Sequence, residues 1–238
     1  MMRSTVAAIT FALLALAGCS KDDAGKTTKA PPTAPTAPTA PGATAPVTPP
    51  APPAPPTSAL IGKPAPDFTL AALDGTKVSL ASLKGKTVVL EWFNPGCPYV
   101  VKSHTKGSLI DTAKKHTGAG VVWLAINSGG EGKQGFEVTL NEEAVKNWSL
   151  PHPVLRDTTG AVGKAYGATN TPNMFVIDPA GNVVYAGAID NSPDAERGSP
   201  AGGTLVNFVD AALADVAAGR PVATPVTKPY GCGVKYAS

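Results

Sequence analysis

Net charge, metal-ligand spacings and long apolar runs are all scarce in this sequence. Twenty Lys and Arg against 17 Asp and Glu leave a net charge of only +3. With no basic run and no RNA-binding motif, that balance points to no nucleic acid, and the lysines and acids read as an ordinary solvated surface. Beyond residue 18 no apolar stretch is long enough to span a bilayer. The three histidines offer little. His104 falls about two helical turns beyond Cys97, too far for a thiolate–imidazole pair. His116 suits a helix C-terminus, and His152, between two prolines, reads as loop. Two soft ligands at a familiar spacing are lacking, so a copper-handling role has weak support, and neither metal nor other cofactor is expected.

The N-terminus is more informative. Arg3, an apolar run from Val6 to Ala17 and Leu16-Ala17-Gly18-Cys19 have the layout of a secretory signal over residues 1–18. The four residues ending at Cys19 resemble the bacterial lipobox, which implies lipidation of Cys19 and its exposure as the mature N-terminus. The plainer alternative is an ordinary signal with a chance cysteine. Two or more acyl chains on Cys19 would give stable anchoring. Ser20 after it leans towards an outer membrane facing the periplasm, if the host is Gram-negative. Residues 19–58 then collapse to Ala, Pro and Thr with no aromatic to bury, a disordered tether able to hold a domain up to roughly 100 Å from a membrane at ~3.1 Å per residue.

Residues 59–220 are enough for one globular domain, followed by a tail over 221–238. Asp74-Gly75 joins Pro66–Leu70 to Lys77–Leu80 in an N-terminal β-hairpin extension. Thr87–Phe93 and Val121–Asn127 are buried strands. A helix is expected from Pro98 to about Lys115, weakened by Gly107, and Gly129–Gly135 is a loop. Asn141 caps a helix Glu142–Trp148, Val154-Leu155 is a short extended piece, and Thr159–Tyr166 a short helix. Asn173–Asp178 and Asn182–Gly187 form a hairpin through Pro-Ala-Gly, and Thr204–Ala218 closes the chain as a helix with Leu205, Phe208, Val209, Ala212 and Leu213 on its apolar face. The order predicts an α/β sandwich with a central mixed sheet flanked by helices.

The chemistry concentrates where the Thr87–Phe93 strand ends. Asn94-Pro95-Gly96 breaks it, and Pro98 suits the first position of a helix, which makes Cys97 an N-cap. Unpaired amides and the positive helix end favour a thiolate there, and the thiolate is the reactive form. The plainer reading is a small buried hydrophobe.

The strand, the cysteine at a helix N-terminus, Thr171-Pro172 before a hairpin and the last helix resemble a thioredoxin-like fold. Pro66-Asp-Phe-Thr-Leu70 resembles the opening of the redoxin and alkyl hydroperoxide reductase/thiol-specific antioxidant families. Cys97-Pro-Tyr-Val100, Ile126-Asn-Ser128, Tyr166-Gly-Ala168, Tyr185–Asp190 and Gly231-Cys-Gly-Val-Lys-Tyr236 are similar to a bacterial branch with a CPYV site and a terminal GCxxK signature. The resemblance implies a thiol-dependent oxidoreductase acting on protein disulfides or small peroxides and recycled by a reducing thiol partner. It implies that Pro172 is cis, faces the Cys97 sulfur, and leaves the residue-171 backbone for a bound chain. It also implies that Glu91 is a buried carboxylate with a raised pKa serving as a base, against the alternative of a strand-end glutamate reaching solvent.

Two departures matter. Val100 stands where thioredoxins have their second cysteine. Asn94 and Leu90 stand where peroxiredoxins have threonine and proline, Asn173 where their later arginine would be, and Arg156 reads as a surface arginine able to pair with Asp157. With Cys19 consumed by lipid, Cys97 and Cys232 remain, in an oxidising compartment. Gly231 and Gly233 would let Cys232 swing in as a resolving thiol. The competing reading is a permanent Cys97–Cys232 disulfide in a non-catalytic binding module.

Overall fold

The computed structural model describes residues 58–238, so the expected signal peptide, Cys19 and all but the end of the tether lie outside the described residues. The sheet strands in chain order are β1 (Thr69–Ala72), β2 (Lys77–Ser79), β3 (Val88–Trp92), β4 (Val122–Asn127) and β5 (Val154–Arg156). A two-residue β6 (Asn170–Thr171) precedes β7 (Asn173–Ile177) and β8 (Val183–Gly187), and β9 (Cys232–Gly233) comes from the tail. The helices are α1 (Pro98–Thr105), α2 (Leu109–Gly118), α3 (Val138–Asn147), α4 (Ala161–Tyr166) and α5 (Phe208–Ala217).

Seven strands form one mixed sheet in the order β2-β1-β5-β4-β3-β7-β8. β3 is central, parallel to β4 and antiparallel to β7. Every residue of β3 is buried, which is why its sequence is an almost unbroken apolar run. Its side chains alternate between faces. Val88, Leu90 and Trp92 enter a core with Phe68, Leu155, Tyr166 and Phe175, while Val89 packs opposite with Leu109, Trp123, Val209 and Leu213. The N-terminal hairpin is part of the main sheet, because β1 also pairs with β5.

Three boundaries differ from expectation. The helix expected over 98–115 is two helices, since Gly107 sits where a Cβ would overlap the Ala195 carbonyl and the Ser103 backbone. Asn141 is inside α3, buried, and donates to the carbonyls of Gly135 and Glu137 at 2.9 and 2.7 Å. The last helix begins at Phe208, capped by Asn207, whose side chain accepts from the Asp210 amide at 2.9 Å. Leu205 is left outside it, exposed.

The tail folds back over the domain. The Ala186 amide donates to the Pro225 carbonyl and the Thr227 amide to that of Ala186, at 3.0 and 3.1 Å. The chain then crosses to pair as β9 with β6, Thr171 opposite Cys232.

Candidate active site

Cys97 is the N-cap of α1 with Pro98 in the first turn, as the sequence reading expects. The preceding turn is built by side-chain amides. Asn94 Oδ1 accepts from the Gly96 amide at 2.8 Å and its Nδ2 donates to the Gln134 carbonyl at 3.2 Å, while Gln134 Nε2 donates to the Gly96 carbonyl at 2.8 Å. The glycine-rich loop is therefore tied to the turn that carries the cysteine. Asn127 completes the tie, donating to Gly135 and to Asn141 Oδ1, each at 2.8 Å.

The Cys97 side chain is fully buried, packed with Phe93, Val100 and Trp148 and with Cys232. Both thiols are free. The Thr171–Pro172 bond is cis, as expected, and the Cys97 thiol donates to the Thr171 carbonyl at 3.2 Å. Burial pushes the Cys97 thiol up, and the neighbouring Cys232 thiol, Thr171 hydroxyl and Val100 amide outweigh it, so its pKa lies below the ordinary thiol value. The Thr171 carbonyl acts the other way, because it can accept only from the protonated form. The Thr171 hydroxyl is buried and makes no hydrogen bond in this structure. Burial and the neighbouring Cys97 sulfur push Cys232 up to about 11. Cys97 is thus the more acidic thiol of the pair.

The tail is seated rather than loose. Val234 N donates to the Thr169 carbonyl at 3.1 Å, Asn170 Nδ2 to that of Gly231 at 3.0 Å, and Gly130 N to that of Lys235 at 2.8 Å. Tyr230 donates to buried Asp190 at 2.9 Å and Tyr236 to the Ala168 carbonyl at 2.7 Å. Of the two glycines beside Cys232, Gly231 also meets a contact requirement. It has φ +103°, and a Cβ there would overlap the Thr171 carbonyl and crowd the Pro172 ring at 3.3 Å. Close approach accounts for this glycine, and in this conformation Cys232 already packs with Cys97.

Glu91 also needs correction. It is fully buried, so it does not reach solvent. Burial does push its carboxyl up, yet His104 Nε2 at 2.7 Å, His152 and the Trp123 indole N–H at 3.0 Å more than offset that, and its pKa is held below the usual carboxylate value. His104, stacked on Trp148 with ring centroids 5.0 Å apart, belongs to this buried pair and not to Cys97. His152 is buried as well and is held down at about 4, by burial first and by the nearby His104. Arg156 does not pair with Asp157. Its guanidinium donates to the Phe136 carbonyl and lies 4.8 Å from the Phe136 ring centre, while Asp157 accepts from Ser128 Oγ at 2.6 Å and from the Gly163 amide at 2.9 Å. Among the described residues no group of three His, Cys, Asp or Glu side chains could hold a metal ion.

Residues 60–200 match the Redoxin family. The chain belongs to that family. As a redoxin it is a thiol-dependent oxidoreductase with a thioredoxin-like fold. It is 30% identical over 124 residues to the thiol-disulfide oxidoreductase ResA of Bacillus thuringiensis subsp. konkukian, covering 52% of this chain and 67% of that protein. It is 32% identical over 129 residues to ResA of Geobacillus thermodenitrificans, covering 53% and 68%. Among solved structures, a hypothetical protein from Sinorhizobium meliloti 1021 aligns over 76% of this redoxin and 97% of its own chain, with 28% identity and a TM-score of 0.65. An uncharacterised conserved protein from Geobacillus kaustophilus aligns over 74% and 92%, with 30% identity and a TM-score of 0.63.

Sequence reasoning missed the Thr171 hydroxyl, His104 as the partner of Glu91, and Tyr230 as an anchor of the tail. Only the first carried a local signal, a hydroxyl residue directly before the expected cis-proline.

Proposed function

We propose that this redoxin is a thiol–disulfide oxidoreductase that cycles between the Cys97/Cys232 dithiol and a Cys97–Cys232 disulfide. The observation that carries the reading is the packing of two free cysteines together, Cys97 at the start of a helix with its thiol on the Thr171 carbonyl and Cys232 on the strand paired with Thr171. When β9 lifts, the Cys97 thiolate attacks one sulfur of an oxidised partner and expels the other as a thiolate. Cys232, returning with β9, then attacks Cys97 in the mixed disulfide, closes the internal bridge and releases the reduced partner. A reducing thiol partner reopens the bridge. Disulfides are preferred to peroxides as substrates, because Arg156 is engaged by Phe136, and Asn94 and Asn173 occupy positions where peroxide-reducing relatives carry other side chains. The Leu16-Ala17-Gly18-Cys19 motif supports a lipid anchor on Cys19, with the domain held off a bacterial membrane, the outer one facing the periplasm.

Peptide mapping by mass spectrometry after equilibration in thiol/disulfide buffers tests the cycle. A bridge that opens at potentials above about −300 mV supports it, and one that opens only below that value makes the pair a fixed brace. Replacing Cys97 or Cys232 by Ser should abolish turnover of a disulfide substrate. Fatty-acid labelling lost in Cys19→Ser tests the anchor.

A further inference from the structure

The two cysteines of the pair differ in exposure. Cys97 has no solvent-exposed surface. Cys232 is partly exposed. The backbone edge beside cis-Pro172, where an incoming chain would pair, is occupied by β9 in register with Thr171. Hydrogen bonds hold the tail on both sides of Cys232, at Tyr230 before it and at Val234, Lys235 and Tyr236 after it. In the dithiol state no covalent bond holds β9 over Cys97. In the disulfide state the bond to Cys97 itself fastens β9 down, so the route that exposes Cys97 is closed.

We infer that Cys232 is the sulfur that meets the reducing partner, and that Cys97 is the buried leaving group of that step. This rests on the internal bridge proposed above. A thiolate of a partner dithiol bonds to Cys232 Sγ as the Sγ–Sγ bond breaks, and the bonding electron pair leaves on Cys97. The partner's second thiol, once deprotonated, attacks its own sulfur in the mixed disulfide, closes the partner's disulfide and releases Cys232, which takes up a proton. The partner, entering as one thiolate and one thiol, loses two electrons and one proton, and the bridge gains them as the Cys97 thiolate and the Cys232 thiol. Leaving-group chemistry agrees with access, since a stabilised thiolate departs faster and the Val100 amide at the start of α1 stabilises the thiolate of Cys97 whatever the state of Cys232. The two half-reactions therefore use opposite sulfurs, Cys97 towards the oxidised substrate and Cys232 towards the reductant.

The test uses the full-length protein after oxidation. Peptide mapping first establishes whether Cys97 and Cys232 are bridged, and absence of the bridge removes the proposed cycle as a whole. The bridged protein is then mixed with glutathione, quenched in acid within milliseconds and mapped again. The glutathionyl adduct is expected on Cys232 in about tenfold or greater excess over Cys97. An adduct on Cys97, or an even split, overturns this inference and leaves the cycle standing. A second measurement follows reduction by dithiothreitol. Direct attack on Cys232 gives a rate that rises linearly with dithiol concentration, whereas a rate that saturates reports prior lifting of β9 and overturns the inference even if no adduct accumulates.

Discussion

His104 Nε2 lies 2.7 Å from Glu91 Oε1, with both side chains buried, so helix α1 is pinned to the central strand by a carboxylate–imidazole pair. His104→Leu leaves the carboxylate buried with the Trp123 indole and a poorly placed His152, and breaking a buried pair from one side costs about 3–5 kcal/mol. Urea denaturation should show a loss of that order, largely recovered in a Glu91→Leu/His104→Leu double variant. Full recovery of stability in the single variant would mean that the pair holds nothing together.

His152 predicts a pH dependence. Its ordinary pKa is 6.5 and in the fold it is about 4. Between those values the unfolded chain carries the extra proton, so stability is fully present above pH 6.5 and declines as pH falls towards 4, by about 3 kcal/mol in all. Glu91, with its pKa lowered, adds a further loss at more acid pH, below the ordinary carboxylate range. Chemical denaturation at pH 7, 5.5 and 4.5 measures the first decline, and His152→Phe should flatten it. An equal slope in wild type and variant would remove His152 as the cause.

Thr171→Val removes the hydroxyl that faces Cys97 while keeping the residue's shape. The Cys97 pKa should rise, because the hydroxyl's contribution lowers it. Thiolate absorbance in a Cys232→Ser background reads it without interference from the second thiol. An unchanged titration would assign the lowered pKa to the helix amide and Cys232 alone.

Gly231→Ala forces a methyl group against the Thr171 carbonyl at a backbone conformation that alanine rarely adopts. The expected result is a loosened β9, a loss of about 1–3 kcal/mol, and faster alkylation of Cys97 in the reduced protein. Gly233→Ala is the comparison, because a Cβ there meets only the Thr169 carbonyl, at 4.0 Å. Equal alkylation rates in the two variants would show that β9 does not cover the nucleophile.

Much of the site was legible because its signals are local. The run into Phe93, the Asn-Pro-Gly break, Cys-Pro at a helix start and Thr-Pro before a hairpin each act within a few residues of themselves, and all appear where periodicity and turn chemistry put them. What the sequence reading lost depends on distant partners. Gly107 breaks a helix because Ala195 approaches it. Asn141 is drawn inward by Asn127 and the Gly135 carbonyl. Glu91 changes the sign of its shift because histidines 13 and 61 positions away converge on it. The tail's glycines suggested motion, and only the facing Thr171 carbonyl shows that one of them also serves contact.

Val100 stands one helical turn beyond Cys97 and is buried in the same cluster. Filling that place with an isopropyl group denies the nucleophile a neighbour on its own helix, so its partner is chosen by tertiary folding and not by a short sequence spacing. Val100→Cys would create a competitor able to close a small loop within α1. In the proposed cycle an electron pair has a single destination, the tail cysteine; it would then have two, and the fold would no longer decide between them.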